Sequence, residues 1–176
     1  NIIIQDMFLF SIQLESIGKW YRQLMGESIG KEFTTKGEKV EVGITPTVSI
    51  GTIDLHSVGQ LYLGGPRDKG TTFISVQKHH KLTVPTFKRY EKAVARIQGK
   101  SLDELMNAIL QWVQAAYAHD KRPFITIELP MCNEFFLGQL LQSKMIEMIY
   151  LGFLLQVNPF DQPNVERYKE ETRKIL

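Results

Sequence analysis

The chain has 176 residues, of which 43% are apolar, 23% charged and 10% aromatic; that is the size and balance of one globular domain able to bury a core. Twenty-one basic residues against nineteen acidic ones leave a net charge of +2, which excludes the broad positive footprint of a nucleic-acid-binding domain. The single cysteine, Cys132, excludes an internal disulfide and a cysteine-based zinc site, and it fits a reducing, cytoplasmic setting.

The chain opens Asn1-Ile2-Ile3-Ile4 with neither an initiator Met nor a basic leader, so it shows no signal peptide and reads as a piece of something longer. Ser11 is placed to cap a first helix, in which Leu14, Ile17, Tyr21 and Leu24 recur at helical spacing beside Trp20. That helix runs into "MGESIGKEF" at positions 25 to 33. Gly26, Gly30 and Lys31 suggest a phosphate loop, but a P-loop needs a preceding strand, four residues before its Gly-Lys pair, and then Ser or Thr. Here a helix precedes, three residues intervene and Glu32 follows, so the P-loop reading fails. What remains is Glu27, a carboxylate where a helix gives way to a small-residue turn. It is either a general base projecting into a cleft or an ordinary acid near a helix end.

A polar connector from Lys31 to Lys39 and a β-branched stretch broken by Pro46 lead to a predicted strand, Thr47 to Ile50. Asp54 opens "DLHSVGQLYLGG", a short helix stopped by Gly64, Gly65 and Pro66. His56 lies beside the mouth of that strand-to-helix turn, where α/β sheets present chemistry, although a lone histidine is more often a hydrogen-bonded structural one. Thr72 to Val76 is a second strand. Between Gln77 and Lys100 the pattern is weak, and the basic run Lys78-His79-His80-Lys81, followed by Lys88 and Arg89, reads as a solvated loop or an anion contact.

Ser101 and Glu104 form a capping box ahead of an apolar face made by Leu102, Leu105, Met106, Ile109, Leu110 and Val113. Phe124 to Leu129 is a strand between two prolines. Phe135 to Leu155 is long enough for a membrane span of roughly 20 residues, but Gln139, Gln142, Lys144 and Glu147 make it a buried helix of the core instead. Leu154 to Val157 is a candidate last strand. Asp161 then caps a terminal helix with Val165, Tyr168, Thr172 and Ile175 facing inward. Gln162, Glu166 and Lys169 share a neighbouring stripe, either functional or simply solvated.

Strands alternating with helices indicate an α/β fold, a three-layer sandwich with a parallel sheet between helices, over one domain spanning 1–176. His79 and His80 are adjacent, and no metal-ligand spacing is present, which leaves metal-free acid/base chemistry.

Three blocks, "GKWYRQLMGESIGKE", "TPTVSIGTIDLHSVGQLYLGGPRDK" and "VNPFDQPNVERYKEE", closely resemble the phosphoglucose isomerase family, in that family's order. The resemblance implies a sugar-isomerase (SIS) domain with a flavodoxin-like parallel sheet of five strands. It also implies metal-free, cofactor-free interconversion of glucose 6-phosphate and fructose 6-phosphate. Carried over by motif, Glu27 is the base that moves a proton between C1 and C2, His56 and Lys169 assist ring opening, and Gln162 contacts substrate. The family's N-terminal SIS domain, with its phosphate-holding loop and an arginine for the enediolate, has no counterpart here, so the chain resembles the C-terminal third. The family is dimeric and takes its histidine from the neighbouring subunit. A non-catalytic sugar-phosphate-binding module is the alternative; it predicts decay at Glu27, His56 or Lys169, and all three are present.

Overall fold

The computed structural model describes residues 2–78 and 82–175, so residues 79–81 of the basic run and the side chain of Tyr168 lie outside the described residues. The chain runs through β1 (Ile4–Leu9), α1 (Glu15–Ile29), β2 (Lys31–Phe33), β3 (Lys39–Val42), β4 (Thr45–Ile50), α2 (Gly51–Ser57), α3 (Gly59–Gly64) and β5 (Lys69–Lys78). It continues through α4 (Glu91–Val94), α5 (Leu102–His119), β6 (Phe124–Met131), α6 (Glu134–Leu155) and α7 (Pro163–Ile175).

Four strands pair in parallel in the order β4-β1-β5-β6, with Met7 opposite both Val48 and Thr72. Numbered among themselves, these strands follow the flavodoxin-like order. Side chains of β1 alternate between two cores, as a sheet covered on both faces requires. Met7 and Leu9 pack with Tyr21, Met25 and Ile29 of α1 and with Leu140 and Met148 of α6. Phe8 and Phe10 pack on the other side with Tyr62 of α3 and Leu110 and Tyr117 of α5. The helix-sheet-helix sandwich expected from the sequence is therefore present.

α1 lies flat on the sheet because Gly18 leaves room for it: a Cβ there would stand 2.5 Å from Val48 Cγ1 and 2.9 Å from Leu9 Cδ1. The capping box is formed as expected, Glu104 N donating to Ser101 Oγ at 3.1 Å and Ser101 N to Glu104 Oε2 at 2.7 Å.

Several expectations are corrected. The central strand, β1, was not foreseen, because Gln5 and Asp6 interrupt the apolar run that usually marks a buried parallel strand. Ser11 makes no capping bond; a 3-10 turn over Ile12–Leu14 separates it from α1. The connector after Lys31 is an antiparallel hairpin of β2 and β3. Four strands, not five, form the main sheet among the described residues. The candidate last strand at 154–157 belongs to the end of α6, where Gln156 adopts the left-handed conformation and donates its N–H to the carbonyls of Gly152 and Phe153.

α6 is buried along one face only. Leu140, Lys144, Met148 and Gly152 point inward at four-residue intervals, whereas Phe135, Met145, Ile146, Tyr150, Phe153 and Leu154 stay exposed. Its inward polar residues have partners: Lys144 Nζ donates to Glu147 Oε2 at 2.6 Å and Tyr21 Oη to Glu147 Oε1 at 3.1 Å, joining α6 to α1. Among the described residues no helix is long and apolar enough to cross a membrane. Of the expected inward stripe of α7, Val165 is half-buried, but Thr172 is exposed and Ile175 is 86% exposed, so among the described residues the stripe does not extend to the end of the helix.

Asp6 is fully buried in β1, and its Oδ1 accepts from Thr47 Oγ1 at 2.6 Å, Ser49 Oγ at 3.0 Å and Tyr62 Oη at 3.1 Å. Burial pushes its carboxyl above the usual aspartate range, and the three hydrogen bonds only partly oppose this. Between the ordinary aspartate pKa of about 3.9 and the raised folded value, the folded state holds a proton that the unfolded state releases. Asp6 thus contributes stability below about pH 3.9, and that contribution is lost as pH rises through the folded pKa. Asp6→Asn keeps an acceptor at Oδ1 and removes the titration, so urea midpoints measured against pH should decline less steeply above pH ~4 in the variant than in the parent. Parallel curves would show that Asp6 does not carry this dependence.

Candidate active site

Glu27 occupies the last turn of α1, half-buried, on the edge of the helix that turns away from Tyr21, Met25 and Ile29. The helix stops at Gly30, where a Cβ would lie 2.8 Å from the carbonyl oxygen of Gly26, so this close approach requires glycine. Gly26 has a different use: nothing stands within 4 Å of a Cβ built there, which leaves the surface beside Glu27 open. Lys19, Trp20, Arg22 and Gln23 complete that open groove.

Both carboxylate oxygens of Glu27 are held by amides. Gln162 Nε2 donates to Oε2 at 2.9 Å across 135 residues of chain, and Gln23 Nε2 donates to Oε1 at 3.2 Å from one turn earlier. A carboxylate offers about four lone-pair sites, so acceptor capacity remains on each oxygen.

Lys31, which sequence reasoning considered only as a phosphate ligand, instead ties the two segments together. It is 6% exposed, and its Nζ donates to the carbonyl of Glu27 at 2.9 Å and to the carbonyl of Asp161, while pairing with Asp161 Oδ1 at 3.2 Å. Asp161 was expected to cap α7; its carboxylate takes Lys31 and the side chain of Asn158. A second tie, Arg167 to Glu32 at 3.2 Å, is more exposed. The signal for Lys31 was available in principle, since a lysine directly after a helix-ending glycine sits where it can reach the last carbonyls.

Lys169 lies about two turns along α7 from Gln162, and its Nζ pairs with Glu166 Oε1 at 2.7 Å, which holds the Glu166 carboxyl below its usual range. Gln162 itself precedes the helix. His56 is not brought to Glu27. It is exposed on α2, whose Leu55 packs in the core formed by α3 and α5, whereas α1 belongs to the opposite core. Among the described residues its side chain makes no hydrogen bond. Asp54 beside it closes the start of α2, accepting from Ile50 N at 2.7 Å and Ser57 Oγ at 2.9 Å. The structure thus joins Glu27 to Gln162, places Lys169 on the helix that follows Gln162 and leaves His56 on the other face of the sheet.

The clasped carboxylate joins an "ESIGK" turn to a "DQPNVERYK" segment, and a family model described as phosphoglucose isomerase matches residues 2–176. The chain belongs to the phosphoglucose isomerase family. Two proteins named glucose-6-phosphate isomerase show how the family membership extends. The one from Carboxydothermus hydrogenoformans is 36% identical over 172 residues, covering 97% of this chain and 37% of the relative. The one from Rubrobacter xylanophilus is 34% identical over 170 residues, covering 96% and 38%. Among solved structures, a Thermus thermophilus protein described as hypothetical superposes with a TM-score of 0.91 at 30% identity, over 98% of this chain and 41% of that one. A glucose-6-phosphate isomerase from Chlamydia trachomatis has the same fold, with a TM-score of 0.81 at 20% identity over 99% and 34%. This phosphoglucose isomerase family chain therefore spans well under half the length of the relatives it matches.

Proposed function

We propose that this chain is the C-terminal portion, a single SIS domain, of a glucose-6-phosphate isomerase. The reaction is the interconversion of glucose 6-phosphate and fructose 6-phosphate through an enediolate, acting in the cytoplasm and without a metal or cofactor. The observation that carries the reading is the Gln162 to Glu27 hydrogen bond, which places a half-buried carboxylate in a fixed orientation beside an open surface.

A hydrogen next to a sugar carbonyl is weakly acidic, so its removal needs a base already aligned with it. Glu27 takes the proton from one carbon, leaving an enediolate, and returns it to the neighbouring carbon; the same oxygen serves in both directions. Gln162, close to the base, contacts the substrate on the same side. Ring opening requires a proton given to the ring oxygen and one taken from the anomeric hydroxyl, the work assigned to His56 and Lys169.

His56 stands on the face of the sheet away from Glu27, which supports a dimer in which each His56 completes the partner's site. The exposed apolar stripe of α6 and the groove of about 950 Å³ between the β2-β3 hairpin and the α6-α7 loop, with Phe153 and Phe160 on its wall, supply surface for a second copy and for the missing N-terminal domain. That domain would anchor the phosphate.

Solvent deuterium wash-in tests the reaction. The full-length gene product incubated with fructose 6-phosphate in deuterium oxide should incorporate deuterium at the exchanging carbon. Absence of incorporation would overturn the isomerase assignment in favour of a sugar-phosphate-binding module. His56→Ala should slow turnover of cyclic substrate by about 10²-fold, the usual scale for a general acid, while leaving exchange into an acyclic aldose phosphate near the parent rate. Equal losses on both substrates would remove His56 from ring opening.

A further inference from the structure

We infer that Lys31 is a positioning residue for this reaction: its buried ammonium holds the segment carrying Gln162 against the last turn of α1, and so sets the geometry of the Gln162 to Glu27 contact. This inference rests on the reading of Glu27 as the base.

Glu27 and Gln162 come from segments 135 residues apart, and something must keep them within hydrogen-bond distance. The contacts of Lys31 fall on the two residues that matter. Its Nζ donates to the main-chain carbonyl of Glu27 itself and to that of Asp161, the residue immediately before Gln162. A third interaction, with Asp161 Oδ1 at 3.2 Å, completes the donors of the ammonium. The Lys31 side chain is 4% exposed, so its charge-assisted bonds are shielded from water and short of alternatives. A further side-chain tie, Arg167 to Glu32, has an arginine side chain 70% exposed, and exposed pairs of this kind contribute little. With its donors committed to main chain and Asp161, Lys31 has none left for substrate. It acts through Gln162 and Glu27.

A lysine that merely stabilised the fold would change the melting temperature and would act independently of Gln162. A positioning lysine must be coupled to Gln162, because once the Gln162 side chain is gone there is no contact left to align. The test is a double-mutant cycle in the full-length enzyme. Lys31→Met keeps the apolar stem and removes the donors; it should lower kcat by about 10- to 100-fold, the scale of a 1 Å misplacement at a reacting group, with KM changed less than about threefold. In a Gln162→Ala background the same substitution should cost less than about threefold. Equal losses in both backgrounds, or an unchanged kcat, would overturn the inference.

If Lys31→Met fails to fold, Asp161→Asn decides the matter, since that side chain is 52% exposed and its main-chain carbonyl remains. It should lower kcat by about three- to tenfold in the parent and have no effect in Gln162→Ala; an unchanged kcat in the parent would overturn the inference. Failure of the underlying reading looks different. Full turnover by Glu27→Gln would remove the base, whereas an inactive Glu27→Gln together with an additive Lys31 cycle would remove the positioning role alone.

Discussion

With Glu27 as the proposed base, Glu27→Gln should lower kcat of the full-length protein by about 10²- to 10⁴-fold, the contribution of a general base, while KM for the sugar phosphate stays within about threefold. The substitution is close to isosteric. A glutamine at this position keeps an oxygen that accepts from Gln162 or Gln23, so the clasp seen around the carboxylate survives in outline. What it cannot do is take a proton from carbon. Loss of kcat with little change in KM is the signature of an interaction made in the transition state and not in the ground state. Deuterium wash-in should fall in parallel with net turnover, because both pass through the same enediolate. If turnover fell but exchange persisted, proton removal would belong to another group and Glu27 would act elsewhere in the cycle.

Phe73→Ala should destabilise the chain by about 3–5 kcal/mol, enough to lower its melting temperature by about 6–20 °C. Phe73 is 0% exposed in β5, the strand between β1 and β6. Its ring meets those of Phe8 at 5.7 Å, Phe10 at 6.0 Å, Tyr117 at 5.1 Å and Phe124 at 5.5 Å. Those four neighbours come from β1 and the segment after it, α5 and β6, so the hole left by truncation is walled by a sheet and a helix that cannot collapse into it. Trp112→Ala provides the comparison: it removes a larger ring from the same layer, but at 73% exposure it should change stability by less than about 0.5 kcal/mol. Urea unfolding of both variants checks the contrast. A cost below about 1 kcal/mol at Phe73 would mean that this face of the sheet is not close-packed.

Much of the architecture was written in local pattern. The capping box at Ser101, the helical spacing from Met106 to Val113 and the β-branched runs in β4, β5 and β6 each mark their element within a window of a few residues. β1 escaped because its sequence, IQDMFL, places a buried acid where an apolar residue is expected, and Asp6 is tolerated only through Thr47, Ser49 and Tyr62 on other elements. No local pattern contains that information. The two faces of α6 escaped for a related reason: it is apolar all round, so its sequence has no periodicity to say which side meets α1 and which stays exposed.

The candidate site divides along the same line. The sequence by itself determined an α/β pattern and three motif blocks, whose resemblance to the phosphoglucose isomerase family singles out Glu27, His56, Gln162 and Lys169 as candidate site residues. Motif matching works within short windows, because helical neighbours lie within one or two turns; residue type and spacing alone left each of these side chains open to an ordinary structural or solvated role. The tertiary structure alone decided their relations. It joined Gln162 to Glu27, made Lys31, left without a role once the P-loop reading failed, a buried tie, and set His56 on the opposite face of the sheet. Contacts between residues 130 or more positions apart depend on which strand lies beside which and which face each helix covers, and that order is set by packing the whole chain at once.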